Sequence, residues 1–159
     1  MALSLINLNI QGGIEYSSLI TFLKNNSSTD IFCFQEVFNN GHTNRPVFKK
    51  ARMDIFHQIE NVLPNHQGIF YPEQENEEGV AMFISNNVHV GKEGWLFIHR
   101  WENIAQADGR VLTRILQWAR VINKGKEYTI CHFHGVWQRE GKNDTSERLK
   151  QSPITSRFI

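Results

Sequence analysis

Two apolar runs that end in polar residues, joined by a helical segment, constrain this chain more than any other feature. LSLINLNIQGG (Leu3–Gly13) ends its apolar run at Asn9, and DIFCFQEVF (Asp30–Phe38) ends its run at Gln35 and Glu36. Between them SSLITFLKNN (Ser17–Asn26) places Leu19, Ile20, Phe22 and Leu23 at helical spacing. Strand, helix and strand in so short a span predict a right-handed crossover between two parallel neighbours. Parallel neighbours bring their C-terminal ends to one edge of the sheet, where open α/β sheets bind ligands. An amide and a carboxylate then meet at that rim, a donor set that suits a hard divalent cation.

The rest of the chain reads as strands with two further helical stretches. The polar loop 39–50 is punctuated by Pro46. Residues 51–63 carry Ile55, Phe56, Ile59, Val62 and Leu63 on one helical stripe, and Pro64 stops it. QGIFY (Gln67–Tyr71) and GVAMFIS (Gly79–Ser85), joined by the acidic PEQENEEG, predict an antiparallel pair. VHVGKEGWLFIHRW (Val88–Trp101) reads as another strand. Residues 112–123 and 127–135 form the clearest hairpin, with a tight turn at Asn123–Lys126 where Gly125 takes a positive φ cheaply. A last helix starts near Asp144 or Thr145, either able to cap it, with Glu147 in its positively polarised first turn; Pro153 predicts an interruption. IFCF and VAMFI are apolar on both faces, so their sheet needs helices on one side and more protein on the other.

Composition excludes more than it selects. With 159 residues the chain can bury roughly two-thirds of its surface on folding. Seventeen basic against sixteen acidic side chains give a net charge of +1, so attraction to phosphate must be local. Cys33 and Cys131 sit in apolar strand-like runs and read as buried thiols of a reducing compartment. The N-terminus lacks a basic region ahead of its apolar stretch, which Asn7 and Asn9 interrupt, and no run reaches transmembrane length. A cytoplasmic protein with no membrane insertion is expected.

The order NLNIQGG, DIFCFQEVF, EGVAMFIS, ICHFHGVW, GKNDTSERLKQ resembles the N-terminal half of the endonuclease/exonuclease/phosphatase superfamily, across essentially the whole chain. The resemblance implies an α/β (α+β) fold: a DNase I-like four-layer α/β sandwich, here incomplete, with helices on one face of a mixed sheet and the second sheet partly missing. Residues 1–159 would be a single truncated domain. It also implies hydrolysis of phosphodiesters or phosphomonoesters with Mg²⁺ (or Mn²⁺). Carried over, Glu36 is the metal-binding carboxylate, Asn9 lies beside it as a second metal or orienting group, and His134 contacts the scissile phosphate. Asp144 and Arg148, with Gln151 behind them, fall in a stretch that flanks the site as supporting residues. The family's later GDxN and SDH motifs do not occur in these 159 residues. The base that activates water and the terminal histidine would therefore be missing, and the isolated chain is expected to be inactive.

Each candidate has a plainer reading. Glu36 can be a solvated carboxylate past a strand end, Asn9 a turn residue ahead of Gln11-Gly12-Gly13, and Asn7 points to the same side as Asn9. His132 and His134 form HxH on one strand; they are either a two-histidine metal site or one core-edge and one exposed ring. No third histidine, cysteine or carboxylate stands at zinc-ligand spacing beside them. Arg148 can be a helix-surface charge, and Arg110, Arg114 and Arg120 either touch phosphate or are strand-face charges. Trp95, Trp101, Trp118 and Trp137 read as core or sheet-edge packing rather than base-stacking platforms; Trp137, in the loop after His134, is the one aromatic placed where it could touch substrate. The alternative to a hydrolase is a non-catalytic half-fold that dimerises or docks on a complementing C-terminal half. Substrates left open are DNA, RNA, a lipid head group and a small phosphate ester; the acidic PEQENEEG would repel a polyanion near the site.

Overall fold

The computed structural model describes residues 2–43, 46–73, 78–105, 111–136 and 143–158, without the side chains of 101–105, 111, 112 and 147. Arg110, Trp137 and the side chains of Trp101 and Glu147 lie outside the described residues.

The predicted crossover is present: β1 (Leu5–Asn9), α1 (Tyr16–Asn25) and β2 (Ile31–Val37), with β1 and β2 parallel and Asn9 opposite Gln35. After α2 (Ile55–Val62), β3 (His66–Pro72) and β4 (Gly79–Ser85) pair antiparallel and complete a first sheet of order β1-β2-β4-β3. β5 (His89–Ala105), β6 (Val111–Asn123) and β7 (Lys126–Phe133) form a second, antiparallel sheet in that order. The β6–β7 turn has positive φ at both Lys124 (50°) and Gly125 (77°), the twist that a two-residue hairpin loop needs. α3 (Ser146–Phe158) closes the chain against the second sheet, with the Phe158 ring 5.5 Å from Trp118.

Alternation along β2 and β4 builds two cores. Phe32, Phe34, Ala81 and Phe83 face α1 and α2, where they meet Leu19, Leu23, Phe56 and Ile59. Ile31, Cys33, Met82 and Ile84 face the second sheet and pack on Ala119 and Val121 of β6. The strands apolar on both faces are thus covered on both, and the layers run helix, sheet, sheet, helix. Truncating a ring such as Phe83 to alanine in this setting costs about 3–5 kcal/mol.

Two boundaries differ from the sequence pattern. α2 begins at Ile55, not Ala51, because the intervening backbone is used elsewhere: the Arg52 N–H donates to Gly12 O at 2.8 Å and its guanidinium stacks 3.8 Å over the Tyr16 ring. α3 continues through Pro153. A proline removes one helical N–H, and the carbonyl that loses it, that of Leu149, lies on a residue open to water. The cap is Thr145, whose Oγ1 accepts from the Arg148 N–H at 3.4 Å.

Both cysteines are free thiols, and burial pushes the Cys33 pKa up to about 12 and that of Cys131 in the same direction. Among the described residues no helix is long and apolar enough to cross a membrane.

Candidate active site

Glu36 owes its direction to a backbone irregularity. Regular alternation after Phe32 and Phe34 would turn it into the helix-side core. Instead the β2–β4 register shifts between Gln35 and Val37, and Glu36 takes φ = 55°. A bulge of this kind re-aims one side chain. The carboxylate turns toward the second sheet, where Oε1 lies 3.8 Å from His134 Nε2, each side chain 19% exposed. A non-glycine residue with positive φ costs about 1–3 kcal/mol and persists only where its surroundings hold it.

Asn9 ends β1 opposite Gln35, the neighbour of Glu36, and lines a cleft with Leu8, Glu15 and Phe22 that does not include Glu36 or His134. The loop behind it is tight: Gly12 has φ = 62°, and a Cβ there would lie 2.6 Å from that of Ala51. Asn9 Oδ1 accepts the Gln11 N–H at 2.9 Å, so the residue makes the turn that its plainer reading expected. The amide NH₂ and a second lone pair on Oδ1 lie outside that bond.

His134 stands just past the end of β7 between two carboxylates. Its Nδ1 is 3.6 Å from Glu73 Oε2, opposite the Glu36 contact. Glu73, the residue after β3, is buried and held by Arg114, whose Nη1 donates to Glu73 Oε2 at 2.7 Å. Arg114 also donates to the carbonyls of Gly135 (3.4 Å) and Thr113 (3.3 Å), and the Thr113 hydroxyl donates to Glu73 O. Arg114 is therefore a buried ion-pair partner, not a strand-face charge; Arg120 stays exposed. Part of the acidic turn does lie at the site, but its Glu73 is neutralised there; residues 74–77 lie outside the described residues.

A second polar chain braces this end of the sandwich. Gln35 Nε2 donates to Asn7 Oδ1 at 2.6 Å and lies 2.7 Å from His132 Nε2. His132 Nδ1 is 3.4 Å from Gln117 Oε1, and Gln117 Nε2 donates to Ile69 O at 2.9 Å. One assignment satisfies every link: His132 is neutral, its Nε2 accepts from Gln35 and its Nδ1–H donates to Gln117. Burial, with the nearby His134 ring adding to it, drops the His132 pKa to about 3. HxH is thus one buried structural histidine and one facing the cleft, and Asn7 belongs to the brace.

Arg148 donates from Nε to Val136 O (3.2 Å) and from Nη1 to Asn143 O (3.3 Å), tying the segment after His134 to the start of α3. Asp144 lines a cleft of about 380 Å³ with His134, Arg148 and Gln151. Glu73, Gln35 and Gln117 are the site residues that sequence reasoning left unassigned.

The donors fit a magnesium-type ion better than a transition metal. Among the described residues no three histidine, cysteine or acidic side chains are grouped as a ligand set. Magnesium needs only one or two carboxylates and keeps several waters. Glu73 Oε1 and His134 Nδ1 are buried without a hydrogen-bond partner among the described residues. These two atoms lie on the Glu73 side of the ring, opposite Glu36, and mark a place for a water between Glu73 and His134.

No protein-family model matches the sequence, and no curated protein matches it. Solved structures do. An endonuclease/exonuclease/phosphatase from Bacteroides vulgatus is similar with a TM-score of 0.68 at 18% identity, over 99% of this chain and 59% of that one. D. rerio TDP2 humanized by 14 mutations gives 0.72 at 14% identity, over 99% and 56%. D. rerio TDP2 complexed with a single strand DNA product gives 0.69 at 15%, over 99% and 54%. The chain has the DNase I-like fold of these proteins and spans less than two-thirds of their length.

Proposed function

We propose that this chain carries the metal- and phosphate-facing part of a phosphoesterase site of the nuclease/phosphatase type. The observation that carries the reading is Glu36, a carboxylate turned out of its strand's alternation at an energetic cost to face a histidine of the other sheet. Strain of this kind concentrates at functional sites, and the shared fold supports the same class.

Glu36 and Asn9 would hold Mg²⁺ (or Mn²⁺). When bound, the cation supplies positive charge against the negative charge that develops on the phosphoryl group. His134 donates a hydrogen bond to a phosphoryl oxygen and can protonate a leaving alkoxide. Glu73, 3.6 Å across the ring, places a carboxylate beside His134 Nδ1, and Arg114 fixes Glu73. Asp144 and Arg148 support the segment that follows His134. The base that activates water, assigned by resemblance to the GDxN and SDH motifs, is not among these 159 residues, so this stretch by itself would turn over little. The substrate is a phosphate ester, and the relative solved with a DNA product makes nucleic acid the class to try first.

One observation favours a second reading. β1 is an edge strand with no charged residue, and Leu5 and Leu8 are 45% and 38% exposed. Such an edge is a template for pairing, which suits a half-fold that dimerises or docks without turnover. Calorimetric titration with Mn²⁺ and hydrolysis of bis(p-nitrophenyl) phosphate separate the readings. The phosphoesterase reading expects Mn²⁺ binding that Glu36→Gln abolishes, with turnover of the lone chain near background. Absence of Mn²⁺ binding overturns it, and vigorous turnover lost in Glu36→Ala overturns the need for a complementing half.

A further inference from the structure

On β5, away from the carboxylates, the rings of Trp95 and Phe97 stand 44% and 40% exposed. Their centroids are 4.9 Å apart at 85°, an edge-to-face pair. Both residues lie on the face of β5 that looks toward the first sheet: Trp95 pairs with Gln117, which reaches Ile69 of β3, and its ring lies 6.3 Å from Tyr71 of β3. β3 is the edge strand of its sheet, so these rings stand along the border of the sandwich, where Phe97 and Trp95 remain open to water. The Arg100 guanidinium lies 4.9 Å over the Phe97 ring. The Tyr71 hydroxyl donates to Glu93, which occupies that carboxylate at the far end of the row.

The row leads to the candidate site. Arg100 pairs with Thr113, whose hydroxyl donates to the Glu73 carbonyl, and the Glu73 carboxylate faces His134. β5 and β7 are separated only by β6, two strand spacings or about 10 Å. Two large, part-exposed rings side by side on a β-strand mark an interaction surface. Ring faces with a guanidinium stacked at their end match flat π-systems carried on a phosphate backbone, because bases stack on aromatic side chains without needing sequence-specific hydrogen bonds.

We infer that Tyr71, Trp95, Phe97 and Arg100 form a platform on which unpaired bases of a single-stranded nucleic acid stack as its backbone runs toward Glu36 and His134. The inference rests on the phosphoesterase reading for the direction of the strand, but the stacking itself needs no metal. Among the described residues in contact with these rings, Arg100 is the cation and Glu93 an occupied carboxylate. Stacking therefore dominates affinity, and the logarithmic salt slope is shallow, roughly −0.7 to −1.4, as for one or two phosphates.

The test is fluorescence anisotropy with the 159-residue chain in EDTA, using a labelled ten-nucleotide oligothymidylate and an abasic strand of the same length. Oligothymidylate is expected to bind at least tenfold tighter than the abasic strand. Trp95→Ala or Phe97→Ala is expected to weaken it at least about fivefold, since each stacked base contributes roughly 1–3 kcal/mol, while Trp95→Phe retains most of the affinity. Far-UV circular dichroism shows that the variants remain folded. Equal binding of the abasic strand, or unchanged binding by both alanine variants, overturns the platform. Glu36→Gln is expected to leave this metal-free binding intact. Failure to bind oligothymidylate with Mn²⁺ binding preserved removes the platform alone; the converse removes the metal site alone.

Discussion

Glu36 and His134 belong to different sheets, and their side chains meet at 3.8 Å across the end of the sandwich. Neither strand alone produces that contact. It requires the parallel β1–β2 crossover, the bulge in β2 and the packing of β7 over the first sheet.

The bulge separates stability from function. Glycine adopts a positive φ without a Cβ penalty. Glu36→Gly should therefore raise stability by about 1 kcal/mol, the lower end of the strain released, while removing Mn²⁺ binding. Urea denaturation paired with Mn²⁺ titration checks both signs; a destabilised Glu36→Gly would mean that the carboxylate itself holds the bulge.

Arg114 and Glu73 form an almost fully buried pair at 2.7 Å. Removing one partner of such a pair costs about 3–5 kcal/mol, because the other charge is left buried and unopposed. Arg114→Met should lose that amount, and Glu73→Gln/Arg114→Met together should lose distinctly less than the sum of the single changes. A double-mutant cycle by chemical denaturation measures the coupling.

His132 makes stability sensitive to acid. Its folded-state pKa near 3 lies below the ordinary 6.5, so between those values the unfolded chain binds a proton that the folded chain refuses. Its contribution is intact above about pH 6.5 and is lost as pH falls toward 3, at up to about 1.4 kcal/mol per unit. Comparing urea midpoints at pH 7 and 4.5 should show a steeper acid loss for the native chain than for His132→Gln.

Gly12 fixes the loop behind Asn9. Gly12→Ala combines a disfavoured positive φ with a Cβ that would press on Ala51 and Phe38. A loss of about 1–3 kcal/mol is expected, seen as a lower thermal midpoint.

Much of this was legible in the sequence because periodicity and turn chemistry are local. The crossover, the antiparallel β3–β4 pair, the β6–β7 hairpin and the need to cover β2 and β4 on both faces followed from residues close in the chain. The placement of Asn9 opposite Gln35, at the end of β1, followed from the parallel register. What stayed hidden depends on partners far along the chain. Glu73 looked like one more acid of a solvated turn until Arg114, 41 residues on, was seen to bury it. Gln35 and Gln117 did leave a trace: each is an amide inside an otherwise apolar strand, a position that demands a hydrogen-bond partner. The phase slip at Glu36 had no such trace, since a bulge is set by the facing strand.

A divalent cation held by Glu36 would sit beside His134, and proton NMR of the histidine rings during Mn²⁺ titration tests this most directly. Sub-stoichiometric Mn²⁺ should broaden the His134 ring signals selectively in the native chain and leave them sharp in Glu36→Gln. His134 signals that stay sharp in the native chain, or broaden equally in Glu36→Gln, would contradict the account.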